Sequence, residues 1–178
     1  MMKVIFVFVC IISLSLTTAY AKSLELKRNT RSIFIEEKTN WKLGKDLFGM
    51  PFIYFSPEAN GQRSNISFTD TGADLELDVK SLATSQKSYQ SSRKEWAKTV
   101  NADVISFFPY EVKVNQHGHK VHKIGLRYAH EGKTYQEQSY YIECRGKILF
   151  SKSLRLSKNE AHEKDFSDLI NGLDCGGV

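Results

Sequence analysis

Three histidines, His117, His119 and His122, fall within a six-residue stretch, and His130 follows shortly after. Imidazoles gathered at one turn are natural ligands for Zn or Cu. The spacing argues against a metal centre. His119 and His122 are three apart, so in a regular strand they face opposite sides, and no Cys or carboxylate accompanies them at a metal-binding interval. They are read as exposed turn histidines, with His117, His119 and His122 kept as the metal candidates and no cofactor expected. His130-Glu131 and His162-Glu163 open like the helical zinc-protease signature, but neither has a second His three residues on, which removes both.

Other reaction chemistry is equally hard to assemble. There is no Gly-x-Ser-x-Gly elbow, phosphate-binding loop or dinucleotide fingerprint. Carboxylates such as Glu36-Glu37 merely adjoin, which does not build an acid/base pair. The expectation is therefore a non-catalytic protein. The rival is a hydrolase or metal-dependent enzyme whose site is built from scattered residues. Asn65-Ile66-Ser67 is a glycosylation sequon, relevant only on a eukaryotic secretory route.

The start of the chain reads as an address. Lys3 precedes an apolar run from Val4 to Leu16, and Ala19-Tyr20-Ala21 offers small residues where a signal peptidase cleaves, before Lys22. The apolar run is too short to span a bilayer, which takes about 20 residues. Phe8 and Val9 before Cys10 do not suit a lipoprotein signal. Cleavage leaves 157 residues with 24 Lys/Arg against 20 Asp/Glu, a net charge of +4. These cations are interleaved with acids, as in Glu163-Lys164-Asp165, so a nucleic-acid stripe is not expected. A periplasmic or secreted product with no remaining membrane anchor is.

Cys10 leaves with the leader. Cys144 and Cys175 remain, an even pair in an oxidising compartment, and are read as a disulfide. A catalytic thiol would need a His base and an electropositive pocket, and nothing near either Cys suggests one.

These residues must be carried by an ordered body. Residues 22–32 look like a polar lead-in, and 33–178 like a single domain. Ile33-Phe34-Ile35, Trp41-Lys42-Leu43 and Phe52 to Phe55 are short strand candidates, and Asn60-Gly61 is a turn signal. Ile66 and Phe68 share one face of the next strand. Over 81–100, Leu82, Tyr89, Trp96 and Val100 recur at helical spacing; Tyr89 and Trp96 could stack on a ligand but are read as packing a helix onto a sheet. Long alternating strands follow over 103–115, 121–130, 134–144 and 148–156. Tyr110, Val112 and Val114, then Ile124, Leu126 and Tyr128, then Tyr140, Ile142 and Cys144 are their expected inward sets. Their short Gly-bearing links imply an antiparallel meander, because parallel pairing needs long crossovers. Ser157 to Glu160 fits a capping box for a last helix bearing Phe166, Leu169, Ile170 and Leu173, with Gly172 as a left-handed stop.

Trp41, Phe48-Gly49-Met50-Pro51-Phe52, Ser56-Pro57 and Arg63, then the amphipathic helix, the meander ending Tyr140 to Cys144, the turn into Lys147 to Phe150 and the closing helix, resemble the PsbP-like proteins over about residues 33–173. The resemblance implies an α+β fold, a three-layer α/β/α sandwich around a largely antiparallel sheet. Relatives include photosystem II extrinsic proteins, a Ran-binding nuclear transport factor and bacterial envelope proteins. It implies binding to other macromolecules rather than turnover. Some photosynthetic members bind metal, but none of their ligands maps onto a position here, and the disulfide looks like a local feature. The expected role is an accessory or binding protein of a bacterial envelope, its partner a protein or envelope component.

Overall fold

Tight turns decide most of the topology. The computed structural model describes residues 22–28, 31–74 and 79–176, and the leader expected over 1–21 lies outside them. Strands β3 (Lys42–Leu47), β4 (Met50–Ala59) and β5 (Gln62–Asp74) run up and down before α1 (Val79–Thr99). Then come β6 (Asp103–Val114), β7 (Lys120–His130), β8 (Lys133–Cys144) and β9 (Lys147–Leu156). All seven strands form one antiparallel sheet in the order β3-β4-β5-β9-β8-β7-β6. The meander expected over the last four is present. At the β4–β5 turn Asn60 and Gly61 both take positive φ, 55° and 74°, the left-handed pair whose twist matches a two-residue hairpin.

A second sheet was not foreseen. Residues 22–32, expected as a lead-in, supply β1 (Ser23–Arg28) and the start of β2 (Arg31–Glu36). Leu24 and Leu26 alternate with Glu25 and Lys27, so half the strand looks polar in sequence while Leu26 is buried. The two-residue β10 (Asp174–Cys175) pairs with the other edge of β2, giving the order β1-β2-β10.

Both faces of the large sheet are packed. Alternation along β8 sends neighbours to opposite sides: Glu137 takes Arg93 of α1 at 2.8 Å, whereas Gln136 donates to Glu163 of α2 (Glu160–Asn171) at 3.2 Å. Val121 opposes Ile142 and Lys123 opposes Tyr140, so Tyr140 and Ile142 lie on the α2 face, away from Ile124, Leu126 and Tyr128. Two of the expected inward sets thus point to two different interiors. On the α2 side, Phe166, Leu169, Ile170 and Leu173 cluster with Tyr54, Ile66, Phe68, Ile142 and Leu149, and with Leu26, Ile35 and Cys175 of the small sheet. Each such side chain contributes about 1.5–3 kcal/mol when removed from water. Trp41 closes this core edge-on to Phe166 and tilted over Tyr54, 5.7 and 5.1 Å between centroids.

On the other face Trp96 packs edge-on to Tyr128 at 5.2 Å and Tyr89 to Phe107 at 6.3 Å, so these aromatics join helix to sheet as expected. Leu82's side chain lies outside the described residues, and Val100 falls just beyond the helix. β6 departs from its expectation. Val112 is 42% and Val114 64% exposed, because β6 is an edge strand and two irregularities, between Val104 and Ser106 and between Phe108 and Glu111, re-aim its side chains.

The ends of α2 also differ. Asn159, not Ser157, occupies the N-cap, and its side chain makes no cap bond. Its Oδ1 instead accepts from Asn60 Nδ2 at 2.5 Å. The Ser157 amide, which a capping box would offer to Glu160, donates to the Thr134 carbonyl at 2.8 Å, and the Ser157 hydroxyl is buried without a partner. Gly172 ends the helix at φ −86°, with its amide bonded to the Asp168 carbonyl at 2.8 Å. No left-handed residue is needed, because Asn115 Nδ2 holds the carbonyls of Ile170 and Leu173 at 3.3 and 2.7 Å and Leu173 continues into the core. Among the described residues no helix is long and apolar enough to cross a membrane.

Candidate functional site

The small sheet does not lie flush on the large one. Between them is a cleft of about 250 Å³, whose floor is Leu26, Phe52, Phe68 and Leu149, all buried, and whose wall includes Ile33 and the Cys144–Cys175 pair. Asp70 and Arg145, both exposed, and half-exposed Lys147 mark its mouth. Each floor residue comes from a different strand, so the cleft exists only once β1, β4, β5 and β9 are assembled. At its rear, Gly176 passes so close to β2 that a Cβ there would fall 2.6 Å from the Phe34 ring and 3.0 Å from the Ser32 carbonyl. Glycine is what permits that approach.

The disulfide is formed between Cys144 and Cys175, with Cα atoms 5.6 Å apart across 31 residues. It ties the last residue of β8 to β10, and β10 pairs with β2 at Asp174–Phe34 and Cys175–Ile33. The bond therefore fastens the wall of the cleft to the large sheet.

The histidines are not a set of exposed turn residues. Only His117 faces solvent. His119 places Nε2 3.1 Å from Asp174 Oδ1 and 3.3 Å from the Cys175 amide nitrogen. Its hydrogen bond, acting against the cost of burial, holds the Asp174 carboxyl below the ordinary range, with further help from the charge of His117. His122 is 0% exposed on the opposite face, with Nε2 2.7 Å from Glu143 Oε1 and Nδ1 2.5 Å from the Tyr110 hydroxyl. A carboxylate only accepts, so in the neutral ring Nε2 carries the proton and Nδ1 accepts from Tyr110. Burial, then the Glu143 charge, raises the Tyr110 pKa and keeps it a donor. His119 and His122 thus part to opposite faces, and among the described residues no group of three His, Cys, Asp or Glu is placed to hold a metal. The turn itself is held by buried Asn115, whose Oδ1 accepts from the amides of His117 and His119 at 3.0 Å each.

A second recess, about 210 Å³, lies between α2 and β6–β8. Burial pushes Glu111 up, but Lys123 and Lys113, each 3.3 Å away, outweigh it and hold the carboxyl below its usual range. That neutralised carboxylate is a tether rather than a base. On the α1 face Glu137 is clamped by Arg93 and Lys152 at 2.8 and 2.9 Å. His162 sits in α2 with Nδ1 2.7 Å from Ser64 Oγ and its ring edge-on to Trp41. The sequon lies in β5, an interior strand of the large sheet, with Ser67 buried.

No family profile matches the chain, and no curated protein does. Solved structures do. The solution structure of cyanobacterial PsbP (CyanoP) from Synechocystis sp. PCC 6803 superposes with a TM-score of 0.59 at 8% identity, over 90% of this chain and 96% of that one. LpqN, involved in cell envelope biogenesis of Mycobacterium tuberculosis, superposes with a TM-score of 0.54 at 10% identity, over 88% and 91% of the two chains. A Pseudomonas aeruginosa protein of unknown function, PA94, gives 0.47 at 12% identity over 88% and 99%. The fold is PsbP-like.

In this PsbP-like chain the sequence singled out the disulfide but missed the cleft beside it. Leu26, Ile33, Phe52, Phe68 and Leu149 each read as ordinary strand interior. The one available signal was the alternation of Leu24 and Leu26, a half-buried strand where a polar lead-in was expected, beside the strand expected at Ile33-Phe34-Ile35.

Proposed function

We propose that this PsbP-like chain is an exported, non-catalytic accessory or binding protein of a bacterial envelope, working in the periplasm or as a secreted protein after loss of residues 1–21. The observation that carries this reading is the apolar cleft held between two sheets by a disulfide. A cleft with a buried hydrocarbon floor and its charged groups confined to the mouth is suited to holding an apolar ligand, and a disulfide is stable where the compartment is oxidising. The involvement of LpqN in envelope biogenesis supports the same setting by analogy of fold alone. Within this reading the architecture is a three-layer sandwich, with α1 over one face and α2 sharing the other with the small sheet. The Arg93–Glu137 and Glu163–Gln136 contacts support it.

The test is production of the full chain in a bacterium, followed by fractionation and intact-mass measurement. The expected product is periplasmic or released, begins at Lys22, and is two hydrogens lighter than the reduced chain. A cytoplasmic, untrimmed product with two alkylatable thiols would overturn the reading.

A further inference from the structure

We propose that the cleft between the two sheets takes the hydrocarbon chain of a monomeric anionic amphiphile, whose head group is held at the mouth by Arg145 and Lys147. This deepens the binding-protein reading and rests on it. The floor supplied by Leu26, Phe52, Phe68 and Leu149 has no charge. Several buried polar atoms elsewhere lack a hydrogen-bond partner, Tyr89 Oη and Ser151 Oγ among them, yet none of those atoms belongs to a residue lining the cleft. A ligand seated there has no polar group to satisfy, so the enclosed part is hydrocarbon. An apolar cavity of roughly 150 Å³ is enough for benzene, and this one, at about 250 Å³, holds more.

The mouth sets the head group. Arg145 and Lys147 flank it against the single carboxylate of Asp70. Asp70 and Lys147 have other partners within the chain, whereas no ion pair engages Arg145 among the described residues. Arg145 stands on the exposed β8–β9 turn with a guanidinium suited to a carboxylate or phosphate. A chain with a cationic head meets the wrong sign there, and one with a neutral head leaves Arg145 unused.

The test is calorimetric titration of the trimmed, disulfide-bonded protein with octanoate, decanoate, decanol and decyltrimethylammonium, all below their micelle concentrations. One decanoate should bind per chain, about fifteen-fold tighter than octanoate, following roughly fourfold per buried methylene. It should bind about tenfold tighter than decanol or the ammonium compound, as one charge-assisted contact predicts. Ile33→Trp, which narrows the cleft, should weaken decanoate at least tenfold, and Arg145→Glu should abolish the preference for the anion.

Equal affinity for the anionic and cationic compounds overturns the proposal, as does decanoate binding indifferent to Ile33→Trp in a chain that melts normally. If Ile33→Trp does not fold, Arg145→Glu on the exposed turn decides. Flotation with phosphatidylglycerol vesicles separates the sources: association with vesicles but no uptake of free decanoate overturns a monomeric ligand. Absence of all binding refutes the ligand while leaving the exported-protein reading to its own test of trimming and oxidation.

Discussion

Cys144 and Cys175 meet at a Cα separation of 5.6 Å, and the partner of Cys175 along β2 is Ile33, a wall residue of the cleft. One covalent bond thus fixes both the end of the chain and the spacing of two sheets.

Replacing Cys175 with Ser should lower the unfolding free energy by roughly 3–4 kcal/mol, the chain-entropy value for a loop of this length. Urea unfolding of the oxidised protein and the variant measures it. Equal midpoints would show that the bond adds nothing to stability.

His122 is enclosed between a donor and an acceptor. His122→Leu orphans the Tyr110 hydroxyl and the Glu143 carboxylate together and should cost about 2–3 kcal/mol. Adding Tyr110→Phe removes one of the orphans, so the double variant should be less destabilised than the two single effects summed. Thermal unfolding of the four proteins completes the cycle.

His162 carries a depressed pKa, chiefly because burial disfavours its charged form; Asp165 opposes the shift and Arg155 adds to it. Its contribution to stability is fully present above the ordinary histidine range. It is lost as pH falls through the lower folded pKa, because the unfolded chain takes up the proton first. Unfolding free energy should therefore decline below about pH 6.5. His162→Gln should flatten that part of the profile; an unchanged slope would assign it to another group.

Asn115 joins the histidine turn to the end of α2 through four hydrogen bonds. Asn115→Ala should cost about 2–3 kcal/mol and loosen His119 from Asp174. The Asp174 carboxyl, held low mainly by that hydrogen bond, should then titrate closer to the ordinary range in a carbon-detected NMR titration. No movement would mean the pair is positioned without Asn115.

How much of this was legible in the sequence differs by element. The β6–β9 meander could be read because alternation and two-residue turns are local: Glu131-Gly132 and Arg145-Gly146 take the positive φ values a tight hairpin needs. The disulfide could be inferred by reading residues 1–21 as a leader, which leaves two cysteines in an expected oxidising compartment. α2 was legible from Phe166, Leu169, Ile170 and Leu173, but its ends were not. Asn60 and Thr134, distant in sequence, claimed the Asn159 side-chain oxygen and the Ser157 amide that local capping chemistry would have used. The histidines misled because composition does not show that Tyr110 and Glu143 would close over His122.

The sequence alone determined the run of strands from β2 to β9, two helices, the hairpin turns and which cysteines would meet, since each depends on interactions within a few residues or on the compartment expected for the chain. The tertiary structure decided that β2 pairs with both β1 and β10, that β5 lies beside β9, and that the large sheet has two buried faces. Those outcomes rest on burial shared among residues far apart in the chain, and such burial has no periodicity of its own. The cleft belongs to the same class: it is a gap between Leu26, Phe52, Phe68 and Leu149, and only the assembled sheets give that gap walls.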